Sequence, residues 1–331
     1  MKIVITGGAG YLGSVLIREF LNKLENFKFI VIDNFLYGSK SLPKNKRVKV
    51  VNLDLCSSEK LSSALLDADA VIHLAGIVGD PACSLNSKRV SEINTKTTSN
   101  VACMAKAMGV KHFIFASSCS VYGFAEEQVD ETSQLNPIST YAQDKIDSEN
   151  LLSVIHEEGK FQVTILRMGT LFGPSYRPRF DLVVNLLTAK AKVDNEITIF
   201  GGKQIRPFVD VRDAANAYIS ALLDSTTNSF PSAVVYNVGS MQNTLRITSA
   251  GKIIQSLVPK SEYILDNTKE DNRNYDVCFD KIKTNLSFRP KYNIEDGVND
   301  LLYYYDIQNY QDSIYHNHKW LEENHKEFLK L

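Results

Sequence analysis

Short apolar, β-branched runs alternate with amphipathic stretches through the first half of the chain. Lys2–Thr6 (KIVIT) reads as a buried strand and runs into the glycine loop Gly7–Gly13. Beyond it, Val15, Leu16, Phe20, Leu21 and Leu24 share one face of a helix spanning Ser14–Leu24. Phe29–Ile32, Val48–Asn52 and Ala70–Leu74 read as strands, the last after a helical stretch Glu59–Leu66. The pattern then predicts a helix over Lys96–Met108, a strand over Phe113–Ala116, a helix over Tyr141–His156 and a strand over Gln162–Arg167. Such alternation implies an α/β fold, a doubly wound parallel sheet with helices on both faces. After Gly173 the rhythm becomes irregular. Phe180–Ala191 and Asp213–Leu223 look helical, Ile197–Phe200 strand-like, and Val234–Val238 returns to a buried strand. Trp320–Leu331 predicts a charged helical tail. The expected organisation is a domain over residues 1–172, with returning segments near 205–240, and a smaller, discontinuous C-terminal lobe over 173–331.

Composition narrows the classes. With 331 residues, 44% hydrophobic and 23% charged, the chain can bury a sizeable core. Its 37 basic and 38 acidic side chains leave a net charge of −1, so no excess of cations favours nucleic acid. The five cysteines are scattered without a CxxC spacing, which argues against a disulfide framework and against a cysteine zinc site. His316 and His318 are the one close histidine pair and are expected in solvent, so no metal site is expected. MKIVITGG reaches its glycines too soon for a signal peptide, and no apolar run is long enough to span a bilayer. A cytoplasmic protein without a membrane partner is the expectation.

Candidate chemistry begins at the glycine loop. Gly7, Gly10 and Gly13 in GGAGYLG stand between a strand and a helix. One glycine makes the turn, one lets the backbone approach a pyrophosphate, and one packs helix on strand. The helix N-terminus then offers N–H groups and the positive end of its dipole to the phosphates. This is a Rossmann-type dinucleotide signature. Asp33 ends the second strand 20 residues after Gly13, where a carboxylate can accept the adenosine ribose hydroxyls. Asn34, Phe35 and Leu36 follow it with no arginine, which favours NAD over NADP. Asp54 and Leu55 either meet the adenine or form a simple turn.

Tyr141 and Lys145 in YAQDK are one helical turn apart and share a face. An ammonium beside a phenol stabilises the phenolate and is expected to move its pKa toward neutrality. The pair could then exchange a proton with a sugar hydroxyl or carbonyl. Ser118 lies at the C-terminal end of a predicted parallel strand, where open α/β sheets bind ligands.

GGAGYLG, Asp33, HLAG (His73–Gly76), SSCSVYG and YAQDK, in this order, resemble the extended short-chain dehydrogenase/reductase family. More narrowly, they are similar to its NAD-dependent nucleotide-sugar epimerase/dehydratase branch, typified by UDP-galactose 4-epimerase. The resemblance implies NAD as cofactor, a nucleotide-diphosphate sugar as substrate, and a C-terminal lobe that binds it. It makes Ser118, Tyr141 and Lys145 catalytic. It assigns backbone phosphate contacts to Tyr11 and Leu12, a cofactor lining to Leu74, Ala75 and Gly76, and an active-site position to Asn94. Met168 and Gly169 should lie near the nicotinamide, and Lys145 should hold its ribose. RMGTLFGP (Arg167–Pro174), GGKQIRPFVDVRD (Gly201–Asp213) and Asp271–Arg273 fall where relatives bind the diphosphate, so Thr170, Arg206 and Arg273 are candidates there. The loop GPSYRPRFD adds Arg177 and Arg179, which either hold phosphates or an acidic sugar or sit in solvent.

The implied reaction is a redox-neutral epimerisation through a 4-keto sugar, with Tyr141 as acid and base. A keto-sugar reductase using NAD(P)H is the alternative. Sugar 4,6-dehydratases carry Asp-Glu after the catalytic Ser/Thr, where this chain has Cys119 and Ser120, so dehydration ranks lower. A non-catalytic NAD-binding role ranks lower still. Cys119 is either a second acid/base or a buried side chain, and burial is the expectation. Cys83 and Asp80 should border the sugar. Lys96–Met108 and Tyr141–His156 resemble the helices of a four-helix dimer interface, which implies a homodimer.

Overall fold

A computed structural model describes residues 1–57, 60–224, 229–268, 272–304 and 307–325. Its main sheet contains β1 (Lys2–Thr6), β2 (Lys28–Asp33), β3 (Val48–Asn52), β4 (Ala70–His73), β5 (His112–Ser118) and β6 (Gln162–Met168). Three short strands follow, β7 (Thr170–Phe172), β8 (Glu196–Phe200) and β9 (Ile205–Asp210). The last three are β10 (Val234–Val238), β11 (Thr244–Arg246) and β12 (Glu262–Asp266). The main sheet runs in the order β10-β6-β5-β4-β1-β2-β3, and every pairing in it is parallel. It is a Rossmann-type α/β fold.

Both faces of this sheet are covered except at the edge strand β3, which is why its inner strands read as continuous apolar runs. Ile3 and Ile5 of β1 point to one face, with Leu16 and Phe20 of α1 (Tyr11–Lys23). Val4 points to the other, with Val71, Val101, Phe113 and Leu152. On that second side lie α2 (Leu61–Leu65), α3 (Asp80–Cys83), α4 (Ser87–Ala107) and α5 (Thr140–Ile155), and α2, α4 and α5 pack side by side. In the second half α6 (Val183–Val193) follows β7, and α7 (Val211–Asp224) follows β9 and packs against α1.

The smaller region is built from the sheets β11-β9-β7 and β12-β8. Around them lie α6, α8 (Ile247–Leu257) and, after α9 (Asp280–Asn285), α10 (Ile294–Tyr304). Its core is separate and includes Phe172, Leu187, Ile199, Phe208, Ile254 and Val298. The chain crosses into it at Gly169, where a Cβ would stand 2.9 Å from the Pro207 carbonyl oxygen. That close approach leaves no room for a side chain.

Several boundaries move from the expected ones. α4 starts at Ser87, nine residues before Lys96, because the Asn86 side chain caps it by accepting from the Arg89 N–H at 3.0 Å. Its first turns present only Val90 and Ile93 to the core, too sparse a stripe to read. α6 begins at Val183 rather than Phe180, because residues 173–181 form a loop over the cleft described below. The last helix, α11, spans Asn317–Asn324. The tail predicted to 331 runs past it into 326–331, outside the described residues, as does Glu59 of the predicted helix Glu59–Leu66.

The histidine pair corrects the sequence reading. His316 is buried, and its Nε2 donates to the Tyr310 carbonyl at 2.7 Å. The reason is that the C-terminal segment folds back over the sheet edge. Trp320 Nε1 donates to the Leu36 carbonyl at 2.6 Å, and α11 packs on α3. Among the described residues no helix is long and apolar enough to cross a membrane.

Candidate active site

A cleft of about 1830 Å³ opens at the C-terminal edge of the main sheet and extends under the smaller region. Its floor is the glycine loop. Gly7 has φ +69°, and a Cβ there would meet the Ala75 backbone nitrogen at 2.6 Å. A Cβ on Gly13 would lie 2.6 Å from the Gly7 carbonyl oxygen. Only glycine allows this turn and this helix–strand contact. Gly10 is the N-cap of α1, with no side chain capping it and no acidic residue in the first turn. The positive end of the helix therefore faces the cleft without a carboxylate of its own. Gly10, Tyr11 and Leu12 line the cleft there.

Asp33 stands at the end of β2. One carboxylate oxygen accepts from the Ala9 N–H at 2.9 Å, the other from the Phe35 N–H at 2.8 Å. These bonds fix the carboxylate in the cleft, while burial pushes its pKa up. Asn34, Asp54 and Leu55 line the same end. Asp54 spends one oxygen on the Cys56 N–H at 2.9 Å, an Asx turn. Leu74, Ala75 and Gly76 form the wall after β4. The residues present fit a dinucleotide: a glycine cradle that a Cβ would fill, an uncapped helix end, and a ribose-height carboxylate.

Asn94 is the exception among the predicted residues, because it does not line this cleft. Its Oδ1 accepts from the Ile77 N–H at 2.8 Å, and its Nδ2 donates to the Ile77 carbonyl and to Asp144. It holds the 76–78 loop from behind, and both ends of its amide are used in doing so.

The catalytic candidates converge at the cleft's centre. Ser139 caps α5, accepting from the Ala142 N–H at 3.2 Å, and so places Tyr141 in the first turn. Ser118 ends β5, and its hydroxyl oxygen lies close enough to the Tyr141 phenol to act on it. The same oxygen accepts from the Ser120 N–H at 3.2 Å. Lys145 donates from Nζ to the Ala116 carbonyl at 2.6 Å and lies 5.6 Å from the Tyr141 ring centre. The expected downward shift of the phenol is not what this geometry produces. Burial pushes the Tyr141 pKa up, helped by Cys83 and Asp80. Arg179 and Ser118 act the other way. Burial also pulls the Lys145 ammonium down to about 8. Desolvation favours the neutral form of each.

Met168 and Thr170 continue the wall toward the smaller region, where Arg206 and Arg273 also line the cleft. Arg206 is buried over the Tyr275 ring, 5.2 Å from its centre. Arg273 forms an ion pair with Asp80 that bridges the cleft. Asp271 of the predicted Asp271–Arg273 motif lies outside the described residues. Arg167 does not line the cleft. It is buried against Glu149, 2.7 Å away, beneath β6.

Two cysteines are settled by burial. Cys119 donates to the Arg167 carbonyl at 3.2 Å in the core, and burial pushes its thiol well up. Cys83 is buried, donates to the Ile77 carbonyl at 3.4 Å, and is pushed up to about 12 by burial and then by Asp144 and Asp80. Neither lines the cleft, whereas Asp80 does.

The loop of residues 173–181 forms the roof. Arg179 and Asp181 make a two-pronged pair at 2.9 and 3.0 Å, and Asp181 also accepts from the Asn317 N–H at 3.1 Å. Asn317, Tyr37 and Ser120 line the cleft and were not foreseen. Asn317 comes from the C-terminal segment, 136 residues beyond Asp181 of the loop it meets, and no local spacing signals such a meeting. Ser120 follows Ser118 closely enough to have been read as a second hydroxyl.

The fold and this site define a Rossmann-type protein with a dinucleotide cradle and a Ser-Tyr-Lys set. Residues 3–239 match the NAD dependent epimerase/dehydratase family, and the chain belongs to it, with NAD as cofactor. Among curated proteins, an uncharacterized UDP-glucose epimerase, YtcB, of Bacillus subtilis is 30% identical over 238 residues, 67% of this chain and 72% of that protein. UDP-glucuronic acid decarboxylase 1 of Xenopus tropicalis is 26% identical over 313 residues, 92% of this chain and 72% of that protein. Among structures, UDP-glucuronic acid 4-epimerase from Bacillus cereus, in complex with UDP-glucuronic acid and NAD, superposes with a TM-score of 0.80 at 26% identity. That match covers 92% of this chain and 100% of the other. Members of the family are NAD-dependent enzymes acting as epimerases, dehydratases and decarboxylases.

Proposed function

We propose that this protein is an epimerase of a nucleotide-diphosphate sugar, working through a transient 4-keto intermediate. The observation that carries the reading is the meeting of Ser118, Tyr141 and Lys145 in the cleft, between the glycine cradle and the arginines of the smaller region. Bound in that cradle, NAD supplies a hydride acceptor, a positive charge and, afterwards, the hydride donor. Tyr141 as phenolate takes the proton of the sugar hydroxyl and later returns it. Ser118 hydrogen-bonds the same oxygen. Lys145, tied to Ala116, supplies the positive charge that keeps the phenolate accessible despite burial. Arg206 and Arg273 hold the diphosphate by bidentate hydrogen bonds while the sugar turns, so binding far from the reacting carbon positions it. A phosphate group in the cleft competes with Asp80 for Arg273. Cys119 and Ser120 supply no carboxylate pair, which supports epimerisation over elimination of water.

The same reading makes the protein a cytoplasmic homodimer joined through α4 and α5. All five cysteines are free thiols, in keeping with a reducing compartment. Light scattering at micromolar concentration should give twice the chain mass.

The deciding experiment is to denature the purified protein and identify the released nucleotide. One NAD per chain, with conversion of UDP-sugars in the absence of added cofactor, supports the epimerase. A protein that purifies empty and turns over only with added NADH or NADPH sinks it in favour of a reductase.

A further inference from the structure

We propose that residues 173–181 are a strap that locks NAD in place, and that Arg177 supplies the cation for the NAD diphosphate, opposite the N-terminus of α1. This deepens the reading of a retained, recycled cofactor and rests on NAD lying in the glycine cradle.

The strap is fastened to the cradle itself. The Tyr11 hydroxyl donates to the Gly173 carbonyl at 2.6 Å, and the Ser175 hydroxyl donates to the Tyr11 carbonyl at 2.6 Å. Ser14 and Ser175 hydroxyls lie 3.1 Å apart, and Asn185 donates to the Tyr11 oxygen at 3.2 Å. Every one of these groups is buried. A second fastening lies outside the cradle, where the Arg18 guanidinium stacks 3.4 Å from the centre of the Tyr176 ring. A dinucleotide between α1 and this loop cannot leave until the fastenings open.

Arg177 belongs to the strap and faces the cleft, with 7% of its surface exposed. Its Nε is buried without a hydrogen-bond partner. One of its terminal nitrogens reaches the Ile314 carbonyl at 3.3 Å, and its plane lies 4.4 Å from the centre of the Tyr37 ring. Among the described residues no carboxylate is within ion-pair distance of it, in contrast to Arg179 with Asp181. Asp181 and Asp33 act on it only through space, and the Arg179 cation opposes them. The Tyr37 hydroxyl is likewise buried without a partner. A buried guanidinium left without a carboxylate is costly unless an anion completes it. Its neighbours on the cleft wall are the glycine loop, whose helix end also lacks an anion, and the ribose carboxylate Asp33. The dinucleotide's diphosphate is the anion that satisfies both. An adenosine 2′-phosphate at Asp33 is the competing assignment.

The test is direct measurement of cofactor release from the NAD-loaded protein, by rapid dilution and fluorescence, for wild type, Arg177→Gln, Arg177→Lys and Tyr11→Phe. Losing a charged hydrogen bond should speed NAD release roughly tenfold to a hundredfold in Arg177→Gln. Arg177→Lys should fall between it and wild type. Tyr11→Phe loosens the strap without touching the charge and should also release NAD faster. Circular dichroism of each loaded variant checks the fold. If Arg177→Gln is unfolded, the lysine and phenylalanine variants carry the test. Release at the wild-type rate from folded variants overturns the proposal while leaving the epimerase reading intact. So does NADP binding that matches NAD in wild type and is lost in Arg177→Gln with NAD unchanged, which would put the guanidinium on a 2′-phosphate.

Discussion

Tyr141 stands in the cleft, and its neighbours decide what it can do. The YAQDK spacing correctly put Lys145 on its face of the helix, one turn on. It did not reveal that Lys145 reaches past the ring to the Ala116 carbonyl, or that burial raises the phenol and lowers the ammonium to about 8. On the proposed reading, replacing Tyr141 with Phe keeps the ring and deletes the proton carrier. Turnover should fall by about a hundred- to ten-thousandfold, with thermal unfolding of the variant unchanged. A variant that keeps most of its activity would remove Tyr141 from the chemistry. The residues legible beforehand were those whose role depends on near neighbours: Gly7, Gly10 and Gly13 by spacing, Asp33 by its place at a strand end. The partners of Asn94, Ile77 and Asp144, lie 17 and 50 residues away, so no local spacing shows the loop that it holds.

The helix α5 does more than carry the tyrosine. Tyr141, Lys145 and Glu149 follow each other at four-residue intervals, and the third of them anchors the other two to the sheet. Glu149 pairs with Arg167 of β6 at 2.7 Å and accepts from Ser117 of β5, while Arg167 donates to the Tyr122 hydroxyl at 2.9 Å. The network pins α5 against the strand that ends at Ser118. Glu149→Ala leaves Arg167 buried and unpaired and should cost about 3–5 kcal/mol of stability. Chemical denaturation measures it, and a loss under about 1 kcal/mol would show that the pair is not holding the helix. The strands β1, β3 and β10 matched their predicted bounds because both ends of each are marked by polar residues or loops. The start of α4 was missed because its cap, Asn86, precedes turns that bury only two side chains.

Taken as one body, the protein is sensitive to acid through its centre. His73 and His112 sit in adjacent strands, buried, and burial lowers each to about 3. His73 is held between Thr6 at 2.7 Å and Thr98 at 3.2 Å, and His112 bonds Thr164 at 2.9 Å. In the unfolded chain each takes a proton as pH drops through 6.5, while the folded form stays neutral until about 3. Stability is therefore full above pH 6.5 and lost as pH falls between these values. The two together should cost roughly 4 kcal/mol from pH 7 to 5. Urea unfolding at pH 7, 6 and 5 reads this, and His112→Leu should halve the slope. An unchanged slope in that variant would place the acid sensitivity elsewhere. The cleft, too, belongs to the whole molecule: its floor comes from the first 13 residues, its roof from 173–181, and one wall from Asn317.

The linear chain determined what depends on short-range order. Alternation of apolar strands and helices set the parallel α/β class, because strands buried on both faces must be apolar throughout. Glycine spacing set the cradle, because only glycine fits the turn, and the four-residue step placed Tyr141 beside Lys145. What only the tertiary structure decided were the long-range meetings and the electrostatics they create. Burial of His316, the pairing of Arg167 with Glu149, the bridge from Asp80 to Arg273 and the position of Arg177 over the cradle arise from elements separated by up to nearly the whole chain. Ionisation followed packing, since the energy of a charge depends on how much water the fold leaves around it.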